Sequence, residues 1–174
     1  VQIFGTINQT TTIYGVDVTL FSNGDSAGSV RVDGAVARVI IESSWYYLKG
    51  SAAFWKKTFR SAPRDAERLS SVWVAVRRSA IGGLGANLSL AHLRDGFDLA
   101  SNLPLKTVAT TQRANQRAAE ILIAGRGKLW VSLTAPYRPI EYDGMSGGNV
   151  VSLQFSDWGR GSIPVVPPGS IQYS

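Results

Sequence analysis

A chain of 174 residues, 44% hydrophobic and only 17% charged, is long enough for one domain with a sizeable core. It has no cysteine, which excludes a disulfide framework, thiol catalysis and cysteine-ligated metal. The formal charge of +6 comes from 18 basic and 12 acidic residues; the basic residues are scattered, doubled only at Lys56-Lys57 and Arg77-Arg78, which argues against nucleic acid and fits weak attraction to an anionic membrane or cell-wall surface.

The low charge fraction suits an apolar surface or an internal cavity, and a secreted β-rich domain equally well. From Ile3 to Ile13 the sequence is β-branched, with a polar interruption at Asn8-Gln9. Val16, Val18 and Leu20 alternate with Asp17, Thr19 and Phe21, the pattern of a half-buried strand. Asn23-Gly24 and Asp33-Gly34 are hairpin turn signals that separate this strand from Ser29–Val32 and Val36–Glu42. Trp45–Lys49 is the next strand, so the first fifty residues predict an antiparallel meander of four or five strands.

Trp45, Tyr46, Tyr47, Phe54 and Trp55 crowd the following junction, WYYLKGSAAFWKK. Gly50 turns the chain there and Ser51 caps a helix through Phe59. Such a concentration of rings predicts a packed site where a helix crosses a sheet. Pro63 opens a second short helix to about Leu69, and Val72–Val76 is a strand. Residues 79–87 are glycine-rich and read as a loop. They lack both the dinucleotide fingerprint and the Lys-Ser/Thr ending of a phosphate loop. Ser89 opens a third helix carrying Leu90, Leu93 and Phe97, ended by Leu103-Pro104.

Leu105–Thr111 is strand-like. In Gln116–Ala124 the residues Ala118, Ala119 and Glu120 favour helix while Ile121, Leu122 and Ile123 favour strand, and the second half is read as strand. Strands over Lys128–Leu133, Arg138–Asp143, Val150–Phe155 and Ile163–Val166 complete the chain, the last limited by Pro167-Pro168. No internal linker divides it, so residues 1–174 are expected to form one domain. No apolar run reaches the roughly eighteen residues of a membrane span. There is no signal peptide pattern, and Val1 already lies in strand-like sequence, so a trimmed or mature fragment is expected. The expected fold is α+β: a single highly curved antiparallel β-sheet, a half-barrel, with a few short helices covering its concave face.

No residue set demands catalysis. His92 is the single histidine and has no acidic cluster around it in sequence. Ser89, His92 and Asp95 are helical neighbours, a spacing that rarely supplies triad geometry, and no Gly-x-Ser-x-Gly elbow is present. Glu42, Glu67, Glu120 and Glu141 are scattered, and paired-carboxylate chemistry needs two of them about 5–10 Å apart in a cleft. The five tryptophans read as structural, with Trp158 placed at a turn where it can touch a membrane interface. Helices laid on a curved sheet leave a wedge, and its expected lining is Val18, Leu20, Val39 and Ile41 from the sheet with Leu90, Leu93, Phe97 and Leu99 opposite. A filled core shares the same periodicity.

The segments YYLKGSAAFWKK and RLSSVWVAV, then GKLWVSL, YRPIEYDG and VVSLQFSDWGRGSIPVVPP, resemble the strand, helix and strand order of the actinobacterial LppX/LprAFG-type envelope lipoproteins. These are similar in fold to the LolA/LolB lipoprotein carriers. The resemblance runs from about Val16 to Pro168 and rests on packing residues rather than an active-site motif. It implies a single LppX/LprAFG-like domain that is not an enzyme, uses no cofactor and no metal, and binds or transports an acylated lipid or glycolipid in a hydrophobic cavity. It implies a monomer in the cell envelope, on the outer face of the cytoplasmic membrane or secreted, held by an N-terminal lipid anchor whose lipobox cysteine is missing here. The alternative is a structural or protein-interaction envelope lipoprotein without bound lipid. The glycine-rich Arg77–Leu90 departs from the more regular sequence of such relatives and bears on the cavity mouth.

Overall fold

A computed structural model describes residues 1–9, 11–77, 79, 105–146 and 148–173. The first five strands form the expected meander: β1 (Gln2–Gln9), β2 (Thr12–Leu20), β3 (Ser26–Val32), β4 (Ala35–Glu42) and β5 (Trp45–Gly50). Helices α1 (Ala52–Phe59) and α2 (Pro63–Ser70) follow, then β6 (Val74–Arg77). The second half supplies β7 (Leu105–Arg113), β8 (Gln116–Ile123), β9 (Gly127–Ser132), β10 (Pro139–Ser146), β11 (Asn149–Ser156) and β12 (Ile171–Gln172). Asn8 and Gln9, the expected interruption, are strand residues of β1 paired with Ile13 and Thr12 of β2, and Asp33-Gly34 turns β3 into β4 with positive φ at both residues.

All twelve strands lie in one sheet, ordered β12-β6-β5-β4-β3-β2-β1-β11-β10-β9-β8-β7. β1 pairs with both β2 and β11, which joins the N-terminal meander to the C-terminal one. Every pairing is antiparallel except that of β12 with β6. The expectation of a highly curved, wholly antiparallel half-barrel is therefore corrected: the sheet is mixed, open from one edge strand to the other and not strongly curled, with two short helices among the described residues. Sharp curvature needs repeated bulges or glycine kinks. The register from β11 through β1 to β6 runs without a shift, and irregularities occur only between β9 and β10 and between β7 and β8.

The expected third helix, with Ser89, His92 and Asp95, lies outside the described residues. The expected strand over Ile163–Val166 is not formed; the strand comes later, at Ile171–Gln172. Pro164, Pro167 and Pro168 remove backbone donors from that stretch. Gln116–Ile123 is strand throughout, because pairing on both sides by β7 and β9 overrides the helix preference of its alanines.

α1 forms as its sequence dictates. The Phe54 N–H donates to Ser51 Oγ at 3.2 Å, an N-cap, and Lys56 and Lys57 sit near the negative end of the helix dipole. α2 starts with Pro63 in its first turn. Phe54, Trp55, Ala66 and Leu69 are buried and join the main core, so α1 and α2 pack on β3, β4 and β5. Gly50 permits this approach, since a Cβ there would stand 2.4 Å from Phe54 Cδ1. Gly50→Ala is expected to cost about 1–3 kcal/mol through overpacking, read as a lower denaturant midpoint at unchanged slope.

Candidate functional site

Cross-strand register defines the apolar face. Phe155, Ile3, Val18, Gly28, Val39, Leu48 and Val74 form one row across β11 to β6. Two residues along, Leu20, Ser26, Ile41, Tyr46 and Val76 form the next. The structure thus brings together the four expected sheet residues: Val18 and Leu20 stand on β2, Val39 and Ile41 on β4. Between them β3 presents only the Gly28 hydrogen and the Ser26 hydroxymethyl group, so the sheet surface is low along β3. The block is covered, with Val18, Leu20, Val39 and Ile41 between 1% and 3% exposed. The other four expected lining residues, Leu90, Leu93, Phe97 and Leu99, lie outside the described residues.

The low floor was not singled out from sequence, although the two hairpin turns that set the register were. Counting outward from Asp33-Gly34 pairs Gly28 with Val39, whereas a two-residue Asn23-Gly24 turn would pair Leu20 with Ala27. The loop is three residues, Ser22 to Gly24, closed by the Phe21 N–H on the Asp25 carbonyl, and so puts Ser26 opposite Leu20.

Beside this block stands an aromatic cluster. The Trp55 ring centroid is 5.6 Å from Phe54 in an edge-on contact, 5.1 Å from Phe59, and 6.1 Å from Tyr173 in a stack. Tyr173, following β12, thereby ties the C-terminal strand to α1. Of the five rings grouped in WYYLKGSAAFWKK, Tyr46, Phe54 and Trp55 join the main core, whereas Trp45 and Tyr47 fall on the other face of β5 because side chains alternate along the strand.

The opposite face carries the charge. Glu120, Trp130 and Glu141 occupy one cross-strand row on β8, β9 and β10. Trp130 is buried with Ala118 and Ile140 in a small second core, and the Arg113 guanidinium lies over its ring at 4.4 Å. Arg113 Nε is 3.9 Å from Glu141, and Lys128 Nζ is 2.7 Å from Glu120. The Lys128 hydrogen bond holds the Glu120 carboxyl below its ordinary value of 4.5, while burial pushes Glu141 up. Each carboxylate has its own cation, so the row acts as an ion-paired cover over Trp130. Glu67 pairs with Lys56 at 3.7 Å on the helices, where both are exposed.

The sign for Glu120 follows from its depressed value. Its contribution to stability is present above the unfolded value of 4.5 and is lost as pH falls through the lower folded value. Lys128→Met is expected to move the Glu120 titration back up toward 4.5, measured by carboxyl NMR. An unchanged titration would show that the ammonium is not the cause.

Trp158 is half-buried, packed on Phe155 at 6.4 Å with the Arg138 guanidinium 5.8 Å above its ring. Among the described residues no three His, Cys, Asp or Glu side chains are grouped to hold a metal, and no helix is long and apolar enough to cross a membrane.

No protein-family profile matches the sequence, and no curated protein matches it. Solved structures do. LprF from Mycobacterium bovis superposes with a TM-score of 0.56 at 13% identity, covering 94% of this chain and 87% of that one. At this identity the likeness is one of fold. The complex of MucB with MucA(peri) gives a TM-score of 0.37 at 15% identity over 94% of this chain and 52% of that one, too distant to carry an argument.

Proposed function

We propose that the protein binds an acylated lipid or glycolipid in the cell envelope, between its apolar sheet face and the helices that pack on it, and that it does so without catalysis. The observation that carries this reading is the low floor along β3, where Gly28 and Ser26 lie between the Val18–Leu20 and Val39–Ile41 walls. An alkyl chain laid there needs no polar recognition group. Each buried methylene contributes about 0.8 kcal/mol, so a chain of about twelve carbons contributes up to about 10 kcal/mol before ordering costs. The walls are covered in this structure, so entry requires the side chains packed on them to move aside. The fold shared with LprF and the sequence resemblance to LppX/LprAFG-type lipoproteins support the same reading.

Titration of delipidated protein with cis-parinaric acid tests it, with a saturable rise in fluorescence expected. Ser26→Leu raises the floor and displaces about two methylenes, which weakens binding by about tenfold. A flat titration in the folded wild-type protein refutes the proposal.

A second reading, a protein-interaction role, is favoured by β7. It is an edge strand of nine residues, and Lys106 to Thr110 are exposed along it. Such an edge can accept an extended segment of another chain.

A further inference from the structure

The face of the sheet turned away from α1 and α2 carries a group of cations that no described carboxylate neutralises. Arg31 on β3, Arg38 on β4, Lys49 on β5 and Arg77 on β6 all project there and are all exposed. Arg38 and Lys49 are directly paired across strands, with Trp73 just before β6 alongside. The Arg38 guanidinium lies 5.6 Å from the Trp73 ring centroid, and the Arg77 guanidinium 5.1 Å from that of Trp45. Of the acids on this part of the face, Glu42 pairs in register with Trp45, and Asp17 at the β2 margin accepts from Gln2 Nε2 at 2.9 Å. None of the four cations is in a salt bridge among the described residues.

We propose that this face of β3 to β6 docks on an anionic lipid bilayer. Positive charge on an open, weakly curled sheet matches a flat anionic surface, and half-buried indoles stacked under guanidiniums suit the zone between headgroups and acyl chains. The face is separate from the apolar block on the other side, so docking and amphiphile binding succeed or fail independently. Together they would hold α1 and α2 away from the bilayer.

The test is co-sedimentation with vesicles of phosphatidylcholine, alone or mixed with phosphatidylglycerol. Wild-type protein is expected to bind the mixed vesicles and to be released by salt. Each cation near such a surface contributes about fivefold, so Arg31→Gln, Arg38→Gln and Lys49→Gln together lower partitioning by about a hundredfold. Removing the same charge from the helices, with Arg60→Gln, Arg64→Gln and Arg68→Gln, is expected to leave most of the binding. Should the triple sheet variant misfold by circular dichroism, Lys49→Gln alone supplies the fivefold step. Equal losses from the two faces, binding to phosphatidylcholine alone, or retention on heparin without vesicle binding each overturn the proposal.

Discussion

Replacing Trp55 with alanine is expected to lower the unfolding free energy by about 3–5 kcal/mol, the usual cost of deleting a large core aromatic. Trp55 is fully buried, with Phe54, Phe59 and Tyr173 around it. Its removal opens a cavity where α1 meets the sheet and frees the stack that holds the C-terminal strand. The indole N–H finds no hydrogen-bond acceptor among the described residues. Trp55→Phe therefore loses no hydrogen bond and is expected to cost much less than the alanine variant. Chemical denaturation measures both, and a Trp55→Ala protein within about 1 kcal/mol of wild type would contradict the packing account.

A charge placed on the apolar floor is expected to be as damaging. Val39 is 1% exposed and is paired in register with Gly28 and Leu48. Neither neighbour offers a counter-charge. Val39→Asp is expected to cost about 3–5 kcal/mol at neutral pH, as an uncompensated buried charge does. Burial raises the folded-state pKa of such a carboxyl above its unfolded value, so the folded state binds the proton more tightly. The penalty is then largest above the raised folded value and shrinks as pH falls through it. Val39→Asn has no such titration and is expected to show a penalty that does not vary with pH. Equal melting temperatures for Val39→Asp and wild type at neutral pH would mean that the face is wet.

Both predictions rest on features that the sequence displays. The alternation of Val16, Val18 and Leu20, the Asn-Gly and Asp-Gly turns, and Ser51 before an aromatic helix are local signals with local causes. They place β2, β4, β5 and α1 and set the β3–β4 register, while the β2–β3 register differs by one residue from that of a two-residue Asn-Gly turn, because three residues, Ser22 to Gly24, form the loop. What stays hidden in the sequence is the relation between distant segments. Alternation names a face and says nothing of how far the sheet bends, so the half-barrel expectation was not secured by any residue. β8 has Ala118 and Leu122 on one face and Ala119, Ile121 and Ile123 on the other, which masks that the small core around Trp130 lies opposite the main one. The low floor at Ser26 and Gly28 needs β2, β3 and β4 in register before it exists at all. Arg38 and Lys49 look scattered in the chain, eleven positions apart, and become neighbours only across β4 and β5.

Native mass spectrometry of the protein purified from its own host tests the central claim most directly. The expected spectrum shows an adduct of one amphiphile per chain that organic solvent removes and that is identified in the extract. Repeated preparations of folded protein carrying only the mass of the polypeptide, and still taking up no amphiphile when one is supplied, would contradict it.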